Sequence, residues 1–398
     1  MPLRPPFAPS VAWDKPLFPV IIRGRFISRP NRFVIRCGTE KGVIEAYLPN
    51  PGRLWELLLP GCTVYLVARE SRSAGKLSHL AVAVERDRTP ILLHTHLSNT
   101  VVAKLIAAGK IPGLEGARII RPEVTVGNSR FDFLLEKEGR PFYLEVKSCT
   151  LFGRSIAMFP DAVTLRGKRH LEELGALARQ GTACGVIFLV HWTYARFFLP
   201  DYHTDLDFAL AFQEVKESLF IRALALDWQP DLRLGGEVRE LAIPWEMIDR
   251  EAQDRGSYII MLRVAADLQL AVGSLGDVSF PRGYYLYVGS AKRALTKRLE
   301  RHLRKNKIPH WHIDYLRPHA DRCTAIPIRT GAPLEHELAA ALADIADWSV
   351  PAFGSSDCHC SSHLFGLKEN PLRYPPFIEL LQYFRMDRLE KEIAVPPV

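Results

Sequence analysis

The chain has 398 residues, enough for two or three domains, and is 47% hydrophobic and 24% charged, the balance of an ordinary globular protein. No apolar run approaches the roughly 18 residues that span a bilayer, and the proline-rich start MPLRPPFAPS lacks the apolar core of a secretory signal, so a cytoplasmic protein with no membrane segment is expected. Lys and Arg outnumber Asp and Glu by 52 to 44, a formal charge of +8 that suits a polyanionic partner, and the seven cysteines fit reduced thiols better than a disulfide framework.

Residues 1–90 carry five short strand-like runs: Phe18–Ile22, Arg32–Arg36, Gly42–Leu48, Thr63–Ala68 and Leu80–Val84. Turn residues separate them at Arg29-Pro30-Asn31, Pro49-Asn50-Pro51-Gly52 and Pro60-Gly61. Five strands in this length predict a small OB-like β-barrel, an architecture that often holds oligonucleotides but proves no function. Residues 91–240 alternate between a helix over Thr100–Ala108, a hairpin over 129–148, a helix over Thr164–Gln180, a buried strand over Cys184–Val190 and a helix over Leu206–Leu226. That pattern is an α/β layer domain. Residues 241–255 read as a linker. An α+β domain over 256–370 follows, with strands at Tyr258–Val264, Leu268–Val272 and Tyr284–Val288, a basic helix from Ala291 and a helix around Leu334–Ile345. Residues 371–398 form a tail. Between Lys292 and Lys307 stand eight Lys or Arg and a single acid, Glu300, a local field that suits nucleic acid.

Chemistry concentrates in the hairpin Ser129–Lys147. A symmetrical turn at Lys137-Glu138-Gly139-Arg140 sets Asp132 across from Glu145, with Tyr143, Glu145 and Lys147 on one face and Leu144 and Val146 on the other. Two opposed carboxylates are destabilising unless a cation sits between them. A divalent metal meets that need, with Lys147 beside it. This is the D…E-x-K pattern of the PD-(D/E)xK nucleases: Asp132 and Glu145 for a metal, Lys147 for the attacking water or the phosphate. The plain alternative is a surface hairpin with solvated charges, since E-x-K alone is common.

Five blocks carry a resemblance: Leu48-Pro-Asn-Pro-Gly-Arg-Leu54, Ser129-Arg-Phe-Asp-Phe-Leu-Leu135, Tyr143-Leu-Glu-Val-Lys-Ser-Cys-Thr-Leu151, Phe159-Pro-Asp-Ala-Val-Thr164 and Arg166-Gly-Lys-Arg-His-Leu-Glu-Glu-Leu174. Through them residues 1 to about 240 resemble the sugar fermentation stimulation protein A (SfsA) family. The resemblance implies an OB-like domain followed by a PD-(D/E)xK restriction-endonuclease-like domain that binds DNA and cleaves DNA or RNA. It makes Asp132 and Glu145 metal ligands, for Mg²⁺ or Mn²⁺, and Lys147 the electrostatic or water-positioning residue. Such enzymes often add a glutamate from an earlier helix. Here that region reads Asn99-Thr-Val-Val-Ala-Lys-Leu105, without an acid, and Glu123 is the candidate substitute. Arg166, Lys168, Arg169 and His170 are candidate phosphate contacts, against a solvated helix face. Arg53 is another, beside a turn that explains Asn50 and Gly52 without any ligand.

In the last domain, Gly256-Ser-Tyr258 and Tyr287-Val-Gly289 look like the halves of a GIY-YIG nuclease signature. Helical spacing puts Arg298 and His302 on one face and Leu295, Leu299 and Leu303 on another, expected to pack on the sheet. With His310-Trp-His-Ile-Asp-Tyr-Leu316, Leu334-Glu-His-Glu-Leu-Ala339 and Phe353–Phe365, residues 256–366 resemble a GIY-YIG-related domain sometimes fused to DNA repair enzymes. That resemblance gives Tyr258 and Tyr287 a water to position or deprotonate, Arg298 the scissile phosphate, and a glutamate within 335–337 a metal ion, with Glu335 the choice over Glu337; His302 is a further nucleic-acid contact. The segment Asp357-Cys-His-Cys-Ser-Ser-His363 has metal-ligand residue types. Structural Zn²⁺ at Cys358, Cys360 and His363 is the lesser expectation, because a fourth ligand and a standard finger spacing are missing.

The sequence therefore predicts a multidomain α/β, metal-dependent nuclease acting on DNA or RNA. Its rivals are a non-catalytic DNA-binding regulator of sugar metabolism and a nuclease in which only the GIY-YIG-like domain is active. DNA versus RNA and the oligomeric state are not legible.

Overall fold

The computed structural model describes residues 15–69, 77–356 and 358–394. The proline-rich residues 1–14, Asp357 and the last four residues of the expected tail lie outside the described residues. The chain divides into two compact units. The first holds the residues up to Pro200 together with Asp207–Pro244, and the second Asp201–Leu206 together with Trp245 onward.

In the first unit, strands Ile22–Asn31, Val34–Thr39, Gly42–Tyr47, Thr63–Ala68 and His79–Arg86 form a ring. They pair in the spatial order third, second, first, fourth, fifth, and the third and fifth close it in parallel, with Ala46 opposite His79. This is an OB-like barrel. Its alternating strands bury Phe26, Ile35, Ala46, Val64, Leu66 and Val82. The first strand begins at Ile22 and not at Phe18; Pro19 has no N–H to give a ladder.

Beside the barrel lies a six-stranded mixed sheet in the order Leu234–Glu240, Phe220–Trp228, Ala183–Val190, Arg140–Cys149, Ser129–Lys137 and Arg118–Val126. The three central strands are parallel. Helix Ser98–Ala107 packs on one face, where Val102, Leu105 and Ile106 share a core with Leu144, Val146, Ile187 and Leu224. Helix Leu165–Arg179 covers the other face, with His170 edge-on to Phe131 at 5.7 Å between ring centroids. Thr164 caps that helix, its hydroxyl accepting the Gly167 amide. The expected helix over 206–226 is instead a short helix, Leu206–Glu214, and a central strand, Phe220–Trp228. A short apolar run buried on both faces reads the same in either state, and pairing with Ala183–Val190 decides it.

The second unit has a five-stranded antiparallel sheet in the order Arg322–Arg329, Gly256–Val264, Gly283–Ala291, Leu364–Leu367 and Trp348–Ser349. Leu268–Ala271 stands apart from it, paired with Asp277–Phe280. The expected linker contains a helix, Trp245–Glu251, that buries Met247 and Ile248. Its Glu251 is paired with Arg388 at 3.0 Å. The tail docks: helices Pro375–Gln382 and Leu389–Ala394 flank a wide turn, and Phe377, Leu381, Phe384 and Leu389 are buried. Arg385 donates to both carboxylate oxygens of Asp201 at 2.9 and 3.0 Å. Among the described residues no helix is long and apolar enough to cross a membrane.

Candidate functional site

The Asp132–Glu145 pair is built by its turn. Glu138 and Gly139 both have positive φ, 52° and 75°, the geometry of a two-residue hairpin turn whose twist suits the flanking strands. It fixes Phe133 opposite Leu144 and sets Asp132 and Glu145 next in register. There the Asp132 side chain takes over from the ladder. Its Oδ2 accepts the Val146 amide at 2.8 Å and its Oδ1 accepts the Asn99 side-chain amide at 2.7 Å. Glu145 is 4% exposed. Its Oε1 accepts from the Lys147 ammonium at 2.6 Å, and His170 Nδ1 also lies 2.6 Å from that oxygen. Arg166 Nε donates to His170 Nε2 at 3.3 Å. That leaves Nδ1 as the protonated nitrogen facing the carboxylate.

The two acids are electrostatically unequal. Burial, and then the Glu145 charge, push Asp132 up to about 6 against the pull of the Val146 amide and Asn99. Burial opposes ionisation of Glu145 too, but Lys147 and His170 outweigh it and hold that carboxyl below its usual range. Glu145 Oε2 is buried and has no hydrogen-bond partner. A buried, unpartnered carboxylate oxygen beside a second carboxylate of raised pKa is a donor set that fits a hard divalent cation.

The structure brings Asp132, Glu145 and Lys147 together and rearranges their neighbours. His170, expected to grip phosphate, is 1% exposed and turned inward to Glu145. Arg166 and Arg169 are exposed, and Lys168 pairs with Glu172 at 3.6 Å. Arg53 is held within the unit: its Nε donates to the Asp161 carbonyl at 2.6 Å and its guanidinium stacks on Trp55 at 4.5 Å. Glu123 is exposed and pairs with Arg130 at 3.6 Å, so it is not turned into the pair as a substitute acid. The sequence shows that the region Asn99–Leu105 has no acid, but not that Asn99 hydrogen-bonds Asp132. The cue was its place in the first turn of the helix that precedes the hairpin.

The second unit has its own cleft, of about 320 Å³, lined by Tyr258, Tyr287, Arg298, His310, His312 and Glu335 among others. Tyr258 lies across the next strand because its register partner is Gly289. A Cβ there would sit 2.4 Å from the Tyr258 hydroxyl. That hydroxyl is 2.9 Å from His302 Nε2. Burial raises the pKa of both tyrosines well above the ordinary value, so their hydroxyls stay neutral. Burial, then Lys307, pushes His302 down to about 3. Arg298 donates to the Ser290 carbonyl at 2.7 Å and lies over the Trp311 ring at 5.0 Å. Glu335 accepts from the Ser290 hydroxyl. Burial opposes its ionisation, but His363 and Ser290 hold it below the usual carboxylate range.

His302 is therefore not a surface contact for nucleic acid. The helix Leu295–Leu303 buries Leu295, Leu299 and His302, while Leu303 is 40% exposed. The stripe runs i, i+4, i+7, not through three leucines four apart.

Residues 27–93 match the family described as the SfsA N-terminal OB domain, and residues 96–231 that of the sugar fermentation stimulation protein RE domain. Residues 257–383 match a domain of unknown function, DUF123. The sugar fermentation stimulation protein homolog of Moorella thermoacetica is 40% identical over 195 residues, 49% of this chain and 84% of that protein. The homolog of Methanosphaera stadtmanae is 40% identical over 195 residues, 48% of this chain and 81% of that protein. Among solved structures, Pyrococcus furiosus SfsA in complex with Ca²⁺ is similar, with 31% identity and a TM-score of 0.53 over 57% of this chain and 96% of that one.

Proposed function

We propose, from the premise that this chain belongs to the sugar fermentation stimulation protein family, that it is a metal-dependent nuclease hydrolysing phosphodiesters of DNA or RNA. The observation that carries the proposal is the buried, unpartnered Glu145 Oε2 beside Asp132, with the Lys147 ammonium 2.6 Å from the other Glu145 oxygen. In this reading the middle layer is a PD-(D/E)xK domain. Asp132 and Glu145 hold Mg²⁺ or Mn²⁺, which supplies charge neutralisation and a more acidic bound water. The Ca²⁺ held by the Pyrococcus furiosus relative supports a divalent ion of oxygen-ligand preference.

The protein's own groups do the rest. Asn99 and the Val146 amide fix the Asp132 carboxylate. His170, held by Arg166, fixes Glu145. Lys147 offsets charge developing on the phosphate or orients the attacking water. Arg166 and Arg169, exposed at the start of the same helix, suit the flanking backbone. The second unit reads as a GIY-YIG-like domain in which Tyr258 and Tyr287 position a water, Arg298 meets a phosphate and Glu335 holds a metal ion.

Asn99 in place of an acid favours a second reading, a protein that binds nucleic acid without cleaving it. The test is cleavage of labelled single-stranded DNA, duplex DNA, RNA and a branched substrate with Mg²⁺ or Mn²⁺ against EDTA. Asp132→Ala/Lys147→Ala and Tyr287→Phe/Arg298→Ala run beside the wild type. Loss in the first variant alone assigns the chemistry to the first unit. Loss in the second alone assigns it to the other. Gel shifts with no cleavage on any substrate replace the nuclease by the binding protein.

A further inference from the structure

We propose that His336, Cys358, Cys360 and His363 form a structural zinc site. Two separate pieces of chain supply the ligands: the helix Glu335–Ile345 gives His336, and the loop before the strand Leu364–Leu367 gives the other three. One candidate ligand atom from each residue converges, all four within 4.8 Å of one another. His336 Nδ1 is 3.3 Å from Cys360 Sγ, and His363 Nε2 is 3.5 Å from Cys358 Sγ.

Those two distances have the size that zinc requires. With Zn–S of about 2.3 Å and Zn–N of about 2.0–2.1 Å at a tetrahedral angle, neighbouring S and N ligands stand about 3.5 Å apart. Thiol–imidazole contacts are weak hydrogen bonds, so they are a poor reason for four such groups to converge from two elements. A borderline-soft ion is a good one. Two thiolates with two imidazoles select zinc over calcium or magnesium, which take oxygen. The protein fills all four positions, which marks a structural site and not a catalytic one.

The surroundings agree. His363 is 2% exposed, and its second nitrogen, Nδ1, lies 3.4 Å from Glu335 Oε1. A metal-bound histidine commonly presents its other N–H to a carboxylate in this way, which fixes its tautomer and ring orientation. Bound zinc would pin the loop to the first turn of the helix, where Glu335 faces the second unit's cleft. Cys-x-Cys with one histidine nearby is incomplete in the sequence; the fold completes it from a distant helix.

The test uses the full chain without an affinity tag, reduced, loaded with zinc and dialysed against excess Mg²⁺ to clear oxygen-ligand sites. Mass spectrometry of metals is expected to find one zinc per chain. Alkylation mapping is expected to find Cys358 and Cys360 protected until a strong chelator is added. Cobalt in place of zinc is expected to give thiolate-to-metal charge-transfer bands with tetrahedral d–d absorption. Neither mapping nor the cobalt spectrum requires a variant to fold. Cys360→Ser and His336→Ala are expected to weaken zinc binding by more than the roughly 10–100-fold that loss of a supporting group costs, while Cys323→Ser leaves it unchanged. Substoichiometric zinc in the reduced wild type, unprotected Cys358 and Cys360, a cobalt spectrum without thiolate bands, or full zinc retained by Cys358→Ser/Cys360→Ser would each overturn the site. Cleavage by the Asp132 centre is read separately, so failure of either assignment leaves the other standing.

Discussion

At the scale of single residues, Asp132 holds the clearest titration. Its carboxyl is pushed up to about 6 by burial and by Glu145, and a cation can bind well only after the proton leaves. Mg²⁺ affinity measured by calorimetry is therefore expected to be flat above pH 7 and to fall about tenfold per pH unit below about 6. A flat profile down to pH 5 would remove Asp132 from the ligand set. Asn99 supplies a second test. Asn99→Asp replaces the amide that donates to Asp132 Oδ1 with a third acid. It is expected to lower the metal-free melting temperature at pH 8 and to enlarge the upward shift that Mg²⁺ produces, both read by thermal melts. The sequence made Asp132, Glu145 and Lys147 legible because a hairpin carries its own register. His170 was illegible because nothing in the sequence says which helix face turns toward a strand more than twenty positions away.

At the scale of elements, the phase of a helix decided more than its existence. The helix expected from Ala291 exists but begins at Leu295, since Ala291 ends the strand Gly283–Ala291, and it buries His302 and exposes Leu303. A histidine that bonds a buried tyrosine can sit where a leucine would. The helix expected at 206–226 failed for a related reason: its second half is apolar on both faces and is a central strand. Strand pairing also explains Gly289, which a sequence reading treats only as part of a signature. Gly289→Ala puts a methyl 2.4 Å from the Tyr258 hydroxyl and must displace that ring from His302. Urea unfolding is expected to show a loss of about 1–3 kcal/mol. An unchanged midpoint would mean that Tyr258 does not lie across the strand.

At the scale of the whole molecule, five histidines share one liability. His191 and His302 are pushed down to about 3 and His94 to about 4, His203 falls well below its ordinary value and His312 below it, in each case chiefly by burial. Three of them accept a bond that needs the neutral ring: Trp228 Nε1 donates to His191 Nδ1 at 3.1 Å, the Arg329 amide to His203 Nδ1 at 2.9 Å and the Gly354 amide to His312 Nδ1 at 3.0 Å. The unfolded chain binds protons to these rings below about pH 6.5 and the folded chain does not, so stability is full above that pH and falls beneath it. Asp132 acts in the opposite sense between its unfolded and folded pKa, which offsets about one of these protons. Denaturant melts are expected to lose up to about 1.4 kcal/mol per pH unit for each unopposed histidine as pH drops from 6.5 to 5. A flat profile over that window would mean that these rings are protonated in the native state.

The short stretch Asp201–Leu206 falls within the sequence of the first unit and belongs to the body of the second. Its Asp201 meets Arg385 and its His203 meets Arg329, all four of them buried. The second unit is therefore not a detachable cassette. A gene trimmed to begin at Trp245 would encode an interior Arg385 stripped of its carboxylate, and an Arg329 that keeps Asp254 at 3.7 Å but loses the His203 carbonyl and ring. Recombination that grafts this module onto another protein must carry along six residues encoded on the far side of a neighbouring helix and two strands.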